Sequence, residues 1–100
     1  MHTVLRYYHG NPQLADELAR RRAEVESVVR EVPGFVSYQM LKAPEATVSV
    51  TTCETREACE ETSRRAAEYL KQHASEIKAG APAILAGDVL IDFRAKATVA

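Results

Sequence analysis

The middle of the chain decides the fold, and residues 33–53 there read PGFVSYQMLKAPEATVSVTTC. Side chains alternate in character from Phe35 to Lys42, and the alternation returns from Ala46 to Cys53. A period of two is typical of β-strands. Because the short turn Ala43-Pro44-Glu45 joins the two runs, this stretch predicts a β-hairpin.

The alternation divides the hairpin into two faces of a sheet. In the first run, one face carries Val36, Tyr38 and Met40, and the other carries Phe35, Ser37, Gln39 and Leu41. In the second run, one face carries Val48, Val50 and Thr52, and the other carries Thr47, Ser49, Thr51 and Cys53.

Helical patterns flank the hairpin on both sides. The earlier helix is predicted from an apolar stripe at helical spacing, formed by Leu14, Leu18, Val25, Val28, Val29 and Val32. Asn11 is its expected N-cap, Pro12 fits its first turn, and Pro33-Gly34 ends it. Thr55 is the expected N-cap of a later helix, whose inner stripe runs from Cys59 to Ile77.

Two further strands complete the pattern. Thr3 to His9 is rich in residues that favour strands, and Ile84 to Phe93 predicts a last strand with a bulge at Gly87-Asp88. The resulting order is β-α-β-β-α-β, the ferredoxin-like arrangement of the α+β class. It predicts a single domain over residues 1–100, in which an antiparallel four-stranded sheet carries two helices on one face.

The uncovered face of this sheet predicts a partner. Phe35, Leu41 and the second apolar face of the first strand favour a covered surface. The polar residues expected on the same face make it only half apolar: Ser37, Gln39, Thr47, Ser49 and Thr51. We therefore expect a two-fold homodimer whose sheets face each other.

Composition excludes several classes of protein. The chain has 100 residues, 46% hydrophobic and 27% charged, with a formal charge of −1. A near-neutral chain lacks the electrostatic signature of nucleic-acid binding. No apolar run approaches the roughly 20 residues of a membrane span, and no signal peptide is visible, so the expected location is the cytoplasm. Cys53 and Cys59 are expected to be reduced, buried thiols, and no metal site is predicted.

One segment carries a family resemblance. Residues 32–38 read VPGFVSY, a "VPGF-x-x-Y" passage by which a first helix enters the hairpin, and the later helix contains Thr62-Ser63-x-x-Ala66-Ala67. Over residues 3–93 the chain resembles the antibiotic biosynthesis monooxygenase-like (ABM) superfamily of small dimeric α/β-barrel proteins. The superfamily includes cofactor-independent monooxygenases acting on polycyclic phenols, haem-degrading enzymes, and members of no known activity.

Only some of the functional residues known in the superfamily have a counterpart in this chain. Haem-degrading members use an Asn on the first strand, a Trp on the second helix and a His further along as iron ligand. This chain has no Trp. Thr62 or Ser63 stands in the corresponding helical stretch, and His73 alone lies at about the right place. Haem degradation is therefore disfavoured, and no cofactor is expected.

Cofactor-free oxygenation of a phenol calls for a base and a cation. His73 is the first candidate for the base, and Arg6 is the candidate cation. Tyr8, Tyr38 and Thr62 are candidate substrate-binding residues, and His9 is an equal second choice for the base. Alternation puts Arg6 and Tyr8 on one side of the first strand, opposite Tyr7 and His9, but does not decide which side faces the helices.

Structural roles compete with these functional ones. Arg6 in a strand that is otherwise apolar calls for a carboxylate, such as Asp92 or Glu54, and a salt bridge is its leading interpretation. His73 near a helix C-terminus is stabilised by the helix dipole without any catalytic role. Asp88 is expected to serve the bulge.

Two hypotheses on function follow. The first is a small cofactor-independent monooxygenase-like enzyme acting on an aromatic or quinol-like metabolite. The second is a non-catalytic dimeric protein that binds a small ligand or serves a pathway as an accessory. A cleft wide enough for fused rings, with His73 pointing in, favours the first. A cleft filled by Tyr69, Leu70 and Met40 favours the second.

Overall fold

The computed structural model describes residues 1–96. Its elements follow in chain order: β1 (His2–His9), α1 (Gln13–Arg20), α2 (Arg22–Arg30), β2 (Phe35–Ala43), β3 (Ala46–Cys53), α3 (Arg56–Gln72) and β4 (Ala83–Asp88). All strand pairs are antiparallel, in the order β2-β3-β1-β4. The predicted α+β fold and its ferredoxin-like order are confirmed. No helix in this part of the chain has both the length and the apolarity needed to cross a membrane.

The hairpin forms as predicted, but a β-bulge changes one face assignment. Pairing of β2 with β3 shifts register between Phe35 and Ser37. An extra residue in one strand moves the preceding side chain to the other face. Phe35 therefore packs with the core residues Val32 and Cys53 on the helix side of the sheet, and its predicted place beside Ser37 is wrong.

The first predicted helix is two helices. Arg21 leaves the helical region, with φ −106° and ψ 29°, and separates α1 from α2. The two segments have different neighbours, since α1 lies against β2 and β3 whereas α2 lies against α3 and β2. The break at Arg21 lets each segment follow its own part of the twisted sheet.

The free backbone amides at the helix N-termini find hydrogen-bond acceptors in two ways. Thr55 caps α3 as predicted, because its Oγ1 accepts from the Ala58 amide at 3.1 Å. The predicted Asn11 cap is wrong: its amide nitrogen donates to the Lys78 carbonyl at 2.7 Å. For α1 the cap comes from the sheet, where the buried Thr47 hydroxyl accepts from the Ala15 amide at 2.9 Å and donates to the Asn11 carbonyl at 2.8 Å.

Thr47 lies on the inner face, and so do its neighbours at every second position of β3. Register pairs Arg6 with Ser49 and Val4 with Thr51, on the side covered by the helices. The expectation that Thr47, Ser49 and Thr51 lie on the open face is therefore wrong. The open face carries five polar residues, Thr3, His9, Ser37, Gln39 and Thr52, beside an apolar part that we define by Leu5, Tyr7, Leu41, Val48, Val50 and Leu85.

The last strand is shorter than predicted. It ends at Asp88, and its pairing with β1 runs without a register shift, so the bulge expected at Gly87-Asp88 does not form. Asp88 instead binds His2, with 2.9 Å between Oδ1 and Nδ1. Residues 89–93, the C-terminal arm, project three apolar side chains that are 90%, 73% and 93% exposed: Leu90, Ile91 and Phe93.

Replacing Thr47 by Val tests the cap that the sheet provides. The methyl group keeps the side-chain shape but removes the donor to the Asn11 carbonyl and the closer acceptor of the Ala15 amide, which keeps only its 3.2 Å bond to the Pro12 carbonyl. We expect Thr47→Val to lower the free energy of unfolding by about 1–3 kcal/mol in urea denaturation.

The matched control is Thr52→Val on the same strand. The Thr52 hydroxyl bonds only the Thr3 hydroxyl, at 2.8 Å, within the described chain. Its loss should cost less than half as much, and equal effects of the two substitutions would contradict the capping role.

Candidate functional site

A cavity of about 40 Å³ lies between the sheet and the helices. Its polar lining comes mainly from the strands and consists of Arg6, Tyr8, Tyr38, Thr47, Ser49 and Thr51. Its apolar walls come mainly from the helices and include Leu18, Val25, Val28, Val29, Ala66 and Leu70. An apolar pocket with a few converging polar groups is the usual form of a small-molecule site.

Arg6 is the unusual member of this lining. It is only 6% exposed, and its Nη1 donates to the Ser63 carbonyl at 3.2 Å. Its Nε is buried and has no hydrogen-bond partner. Within residues 1–96, no carboxylate lies within ion-pair distance of Arg6; Asp92, one expected partner, pairs with Arg94 at 3.1 Å. The predicted salt bridge is therefore wrong for the described chain.

A buried cation without a counter-ion is costly. A buried Lys can lose its proton, but Arg stays charged in proteins, so Arg6 keeps its positive charge in the cavity. The protein thus tolerates an unfavourable charge at this position. Such a charge is stabilised as soon as an anion enters the cavity beside it.

Two tyrosines stand near the Arg6 guanidinium. Its Cζ lies 6.0 Å from the centre of the Tyr8 ring. Burial raises the pKa of Tyr8, and the neighbouring Arg6 charge offsets this only in part. Burial likewise raises the pKa of Tyr38, with a further contribution from Tyr8. Both phenols therefore stay protonated at neutral pH, so the cavity offers one cation and two neutral hydroxyl groups.

Thr62 also lines the cavity, as the sequence predicted for a substrate-binding residue. It is 2% exposed, and its hydroxyl donates to the Cys59 carbonyl at 2.7 Å. That bond occupies its proton, so Thr62 can offer a ligand its oxygen as an acceptor. Cys59 beside it is buried, and burial raises the pKa of its thiol to about 12, which leaves no reactive thiolate here.

The two candidate bases lie outside the cavity lining. His73 caps the C-terminus of α3, and its Nδ1 is 2.9 Å from the Tyr69 carbonyl. Its ring packs on Tyr69 with 4.4 Å between centroids, so it touches the cavity only through that side chain. His9 stacks on Tyr7 at 5.7 Å, on the open face of the sheet. Arg6 and Tyr8 are thus on the helix side, and His9 is not.

A network of ion pairs and one tyrosine hydrogen bond links the helices that cover the cavity. Arg21, at the break between α1 and α2, donates to Glu17 at 3.1 Å and to Glu76 at 2.6 Å. The Tyr69 hydroxyl donates to Glu24 at 2.9 Å. These bonds join the helix break to α3 and to the segment that follows it. Helical i,i+4 spacing predicts the pair of Glu17 with Arg21. The bond from Arg21 to Glu76 has no such signal, because the two residues are 55 positions apart along the chain.

A wider groove continues outward from the cavity. Its volume is about 460 Å³, and Arg22, Arg30 and Phe35 contribute to its walls. It shares five residues with the cavity: Leu18, Val25, Val29, Tyr38 and Met40. The two spaces are therefore adjacent, with the groove beside β2 and the Arg6 guanidinium in the cavity.

Solved structures share this architecture. The monooxygenase from the gene ActVA-Orf6 of Streptomyces coelicolor, in complex with Nanaomycin D, has a TM-score of 0.70 at 17% identity, over 95% of this chain and 92% of that chain. The heme-degrader MhuD of Mycobacterium tuberculosis, with two hemes bound in its active site, has a TM-score of 0.69 at 22% identity, over 94% and 100%. An antibiotic biosynthesis monooxygenase has a TM-score of 0.61 at 18% identity, over 91% and 100%.

The chain has the fold of the antibiotic biosynthesis monooxygenases. The resemblance carried by the VPGF passage is thereby confirmed at the level of the fold. No protein-family model and no curated protein matches the sequence. The chemistry of the cavity must be argued from the residues of this chain.

Replacing Arg6 by Met tests whether the cation is uncompensated. Met has a similar length, and the Ser63 carbonyl lies within α3, where helical bonds satisfy it. We expect Arg6→Met to raise the free energy of unfolding of the ligand-free protein by roughly 1–3 kcal/mol, because a buried charge and an unpaired donor disappear.

Calorimetric unfolding provides the measurement, and Arg30→Met is the control. Arg30 is exposed and pairs with Glu26 at 2.9 Å, so its loss should change the melting temperature little. A clear fall in stability for Arg6→Met would mean that the fold itself needs the charge.

Proposed function

We propose that the protein binds a planar aromatic phenol or quinol in the cavity and groove, with the phenolic oxygen at Arg6, and oxygenates it in the manner of a cofactor-independent monooxygenase. The observation that carries this proposal is the buried Arg6 charge, which has no carboxylate partner in the described chain. Apolar walls next to a cation suit an aromatic anion. Solved structures of this fold that hold Nanaomycin D or two hemes support an organic ligand.

The proposed reaction balances without an external reductant. A phenol with a free para position and O2 give a para-quinone and water. One oxygen atom forms the new carbonyl, and the other leaves as water with the phenolic hydrogen and the displaced ring hydrogen. The ring gives up the four electrons that O2 accepts. Arg6 promotes this chemistry by stabilising the phenolate, the form that reduces O2.

Deprotonation then depends on Arg6 more than on a histidine. A cation beside the phenolic oxygen lowers the pKa of the substrate, and the proton can leave through the groove to solvent. The sequence suggested His73 as the base, but its ring meets the cavity only through Tyr69. We propose that His73 positions Tyr69, and that Tyr8, Tyr38 and Thr62 orient the substrate.

The small volume of the cavity favours a second function, that of a non-catalytic ligand-binding or accessory protein. About 40 Å³ is far below the roughly 150 Å³ of a cavity that binds benzene, and Tyr69, Leu70 and Met40 fill much of the cleft. An aromatic ring must therefore lie largely in the 460 Å³ groove. A non-catalytic ligand-binding or accessory protein uses the same Arg6 contact without the oxygenation step.

Oxygen uptake separates the two functions. With 1-naphthol as the probe, the enzyme should consume one O2 for each 1,4-naphthoquinone formed and release no hydrogen peroxide. Arg6→Met should lower the rate at least about 100-fold, because electrostatic stabilisation is usually the largest catalytic contribution. Arg56→Met is the control and should keep the rate, because exposed Arg56 pairs with Glu60 and lines neither the cavity nor the groove. Binding without oxygen uptake would assign the accessory function, and unchanged turnover in Arg6→Met would remove Arg6 from the chemistry.

We also propose a homodimer, built on the open face and the C-terminal arm. The open face has an apolar part, and the arm exposes Leu90 and Phe93 almost completely. A contiguous apolar surface of this kind marks an interaction site. Since both surfaces belong to the same chain, a two-fold axis would bury them together.

Sedimentation equilibrium tests the dimer. Replacing Leu90 and Phe93 together by Ser removes two large apolar contacts, which should raise the dissociation constant of the dimer at least about 100-fold. Arg94→Ser, one residue beyond the arm, should leave it nearly unchanged. A wild-type protein that sediments as a monomer would contradict the proposal outright.

A further inference from the structure

The free edge of the Arg6 guanidinium has a definite shape. A guanidinium is planar and carries five N–H groups, of which Nε–H and one Nη2–H are parallel on one edge. In Arg6 the other nitrogen, Nη1, donates to the Ser63 carbonyl. Nε has no partner within residues 1–96. The Tyr8 hydroxyl lies beside the guanidinium, and its hydrogen bond with Arg6 lowers the Tyr8 pKa against the larger effect of burial. The edge with two parallel donors is therefore the one left for a ligand.

We propose that the group received by Arg6 carries two coplanar oxygen atoms, which bind Nε and Nη2 together. A carboxylate has this arrangement, and so does a phenolate next to a ring carbonyl. The inference rests on the proposed function, since it assumes that the cavity receives an aromatic anion at Arg6, and it narrows the substrate class from any phenol to an acid with paired oxygens.

Because the Arg6 guanidinium is buried, a ligand has to satisfy both donors of its free edge. A single oxygen atom can satisfy one donor of the edge, and in an exposed arginine water would satisfy the other. Arg6 is 6% exposed and its Nε is fully buried, so an unmatched donor would stay unpaired next to the ligand. Two oxygens satisfy both donors at once, which is the geometry in which Arg exceeds Lys as an anion partner.

The remaining polar groups of the cavity agree with such a ligand. Ser49 and Thr51 line the same floor as Tyr8 and Tyr38. Each oxygen of a carboxylate or chelated phenolate has further lone pairs to be satisfied, and these four side chains are hydroxyl donors. Within residues 1–96 no carboxylate comes within ion-pair distance of Arg6, so no side chain competes for the edge.

Arg6→Lys separates a paired contact from a simple charge effect. Three probes are titrated into the wild type and the variant: 1-naphthol with one oxygen, 2-acetyl-1-naphthol with a hydroxyl next to a carbonyl, and 1-naphthoate. We expect Arg6→Lys to weaken one or both of the paired-oxygen probes about 10- to 100-fold more than 1-naphthol. Each comparison uses one ligand in two proteins, so differences in ligand ionisation cancel.

The probe whose affinity falls most in Arg6→Lys identifies the chemical group that supplies the two oxygens. A selective loss for 2-acetyl-1-naphthol assigns a chelated phenolate. A selective loss for 1-naphthoate assigns a carboxylate and overturns the placement of the phenolic oxygen at Arg6. Equal losses for all three probes would overturn the paired contact while leaving the proposed function standing. Failure of all three to bind the wild type would overturn both. Arg56→Lys is the control, because Arg56 is exposed, pairs with Glu60 at 3.0 Å and lines neither the cavity nor the groove; it should change no affinity more than about twofold.

A second measurement holds even if Arg6→Lys does not fold. The Nε–H group of Arg6 gives its own proton–nitrogen NMR signal, and a new hydrogen bond moves the proton downfield and protects it from exchange. The preferred paired-oxygen probe should move this signal in the wild-type protein at saturation. An unmoved Nε–H signal with each bound paired-oxygen probe would overturn the proposal.

Discussion

The pairing of β1 with β3 is the constraint on which the site depends. Antiparallel register sets Arg6 opposite Ser49 and Tyr8 opposite Thr47, so alternation delivers all four side chains to the face under the helices. Thr47 then uses its hydroxyl to start α1, which brings Leu18 over the cavity. A slip of one residue would turn Arg6 to the open face and remove the cap at the same time.

Features set by neighbours in sequence could be predicted from the sequence. The hairpin follows from alternation around a short turn, and the Thr55 cap needs only the amide of Ala58 three positions later. Features set by distant partners could not. The bulge that brings Phe35 inside, the role of Thr47 as a cap for α1, and the Arg21 network all depend on segments that meet only after folding.

One important part of the candidate site, the arginine in the first strand, was predictable from the sequence. An arginine inside a strand stands out in the sequence, but its partner does not, and the expected carboxylate is not found within the described chain. The strand alternation could not tell which face the helices cover, so it left open whether Arg6 or His9 faces the cavity until α3 supplied the Ser63 carbonyl to Arg6. His73 shows the opposite case, since its position at the end of α3 takes it out of the cavity lining.

The central claim is that a buried, uncompensated cation stabilises the anionic form of an aromatic ligand. The most direct measurement is the pKa of 1-naphthol bound to the protein, followed by its absorbance and compared with the free compound. The account predicts that binding to the wild type lowers this pKa by at least about one pH unit, and that binding to Arg6→Met does not lower it. A bound pKa equal to or above the free value in the wild type would contradict the account.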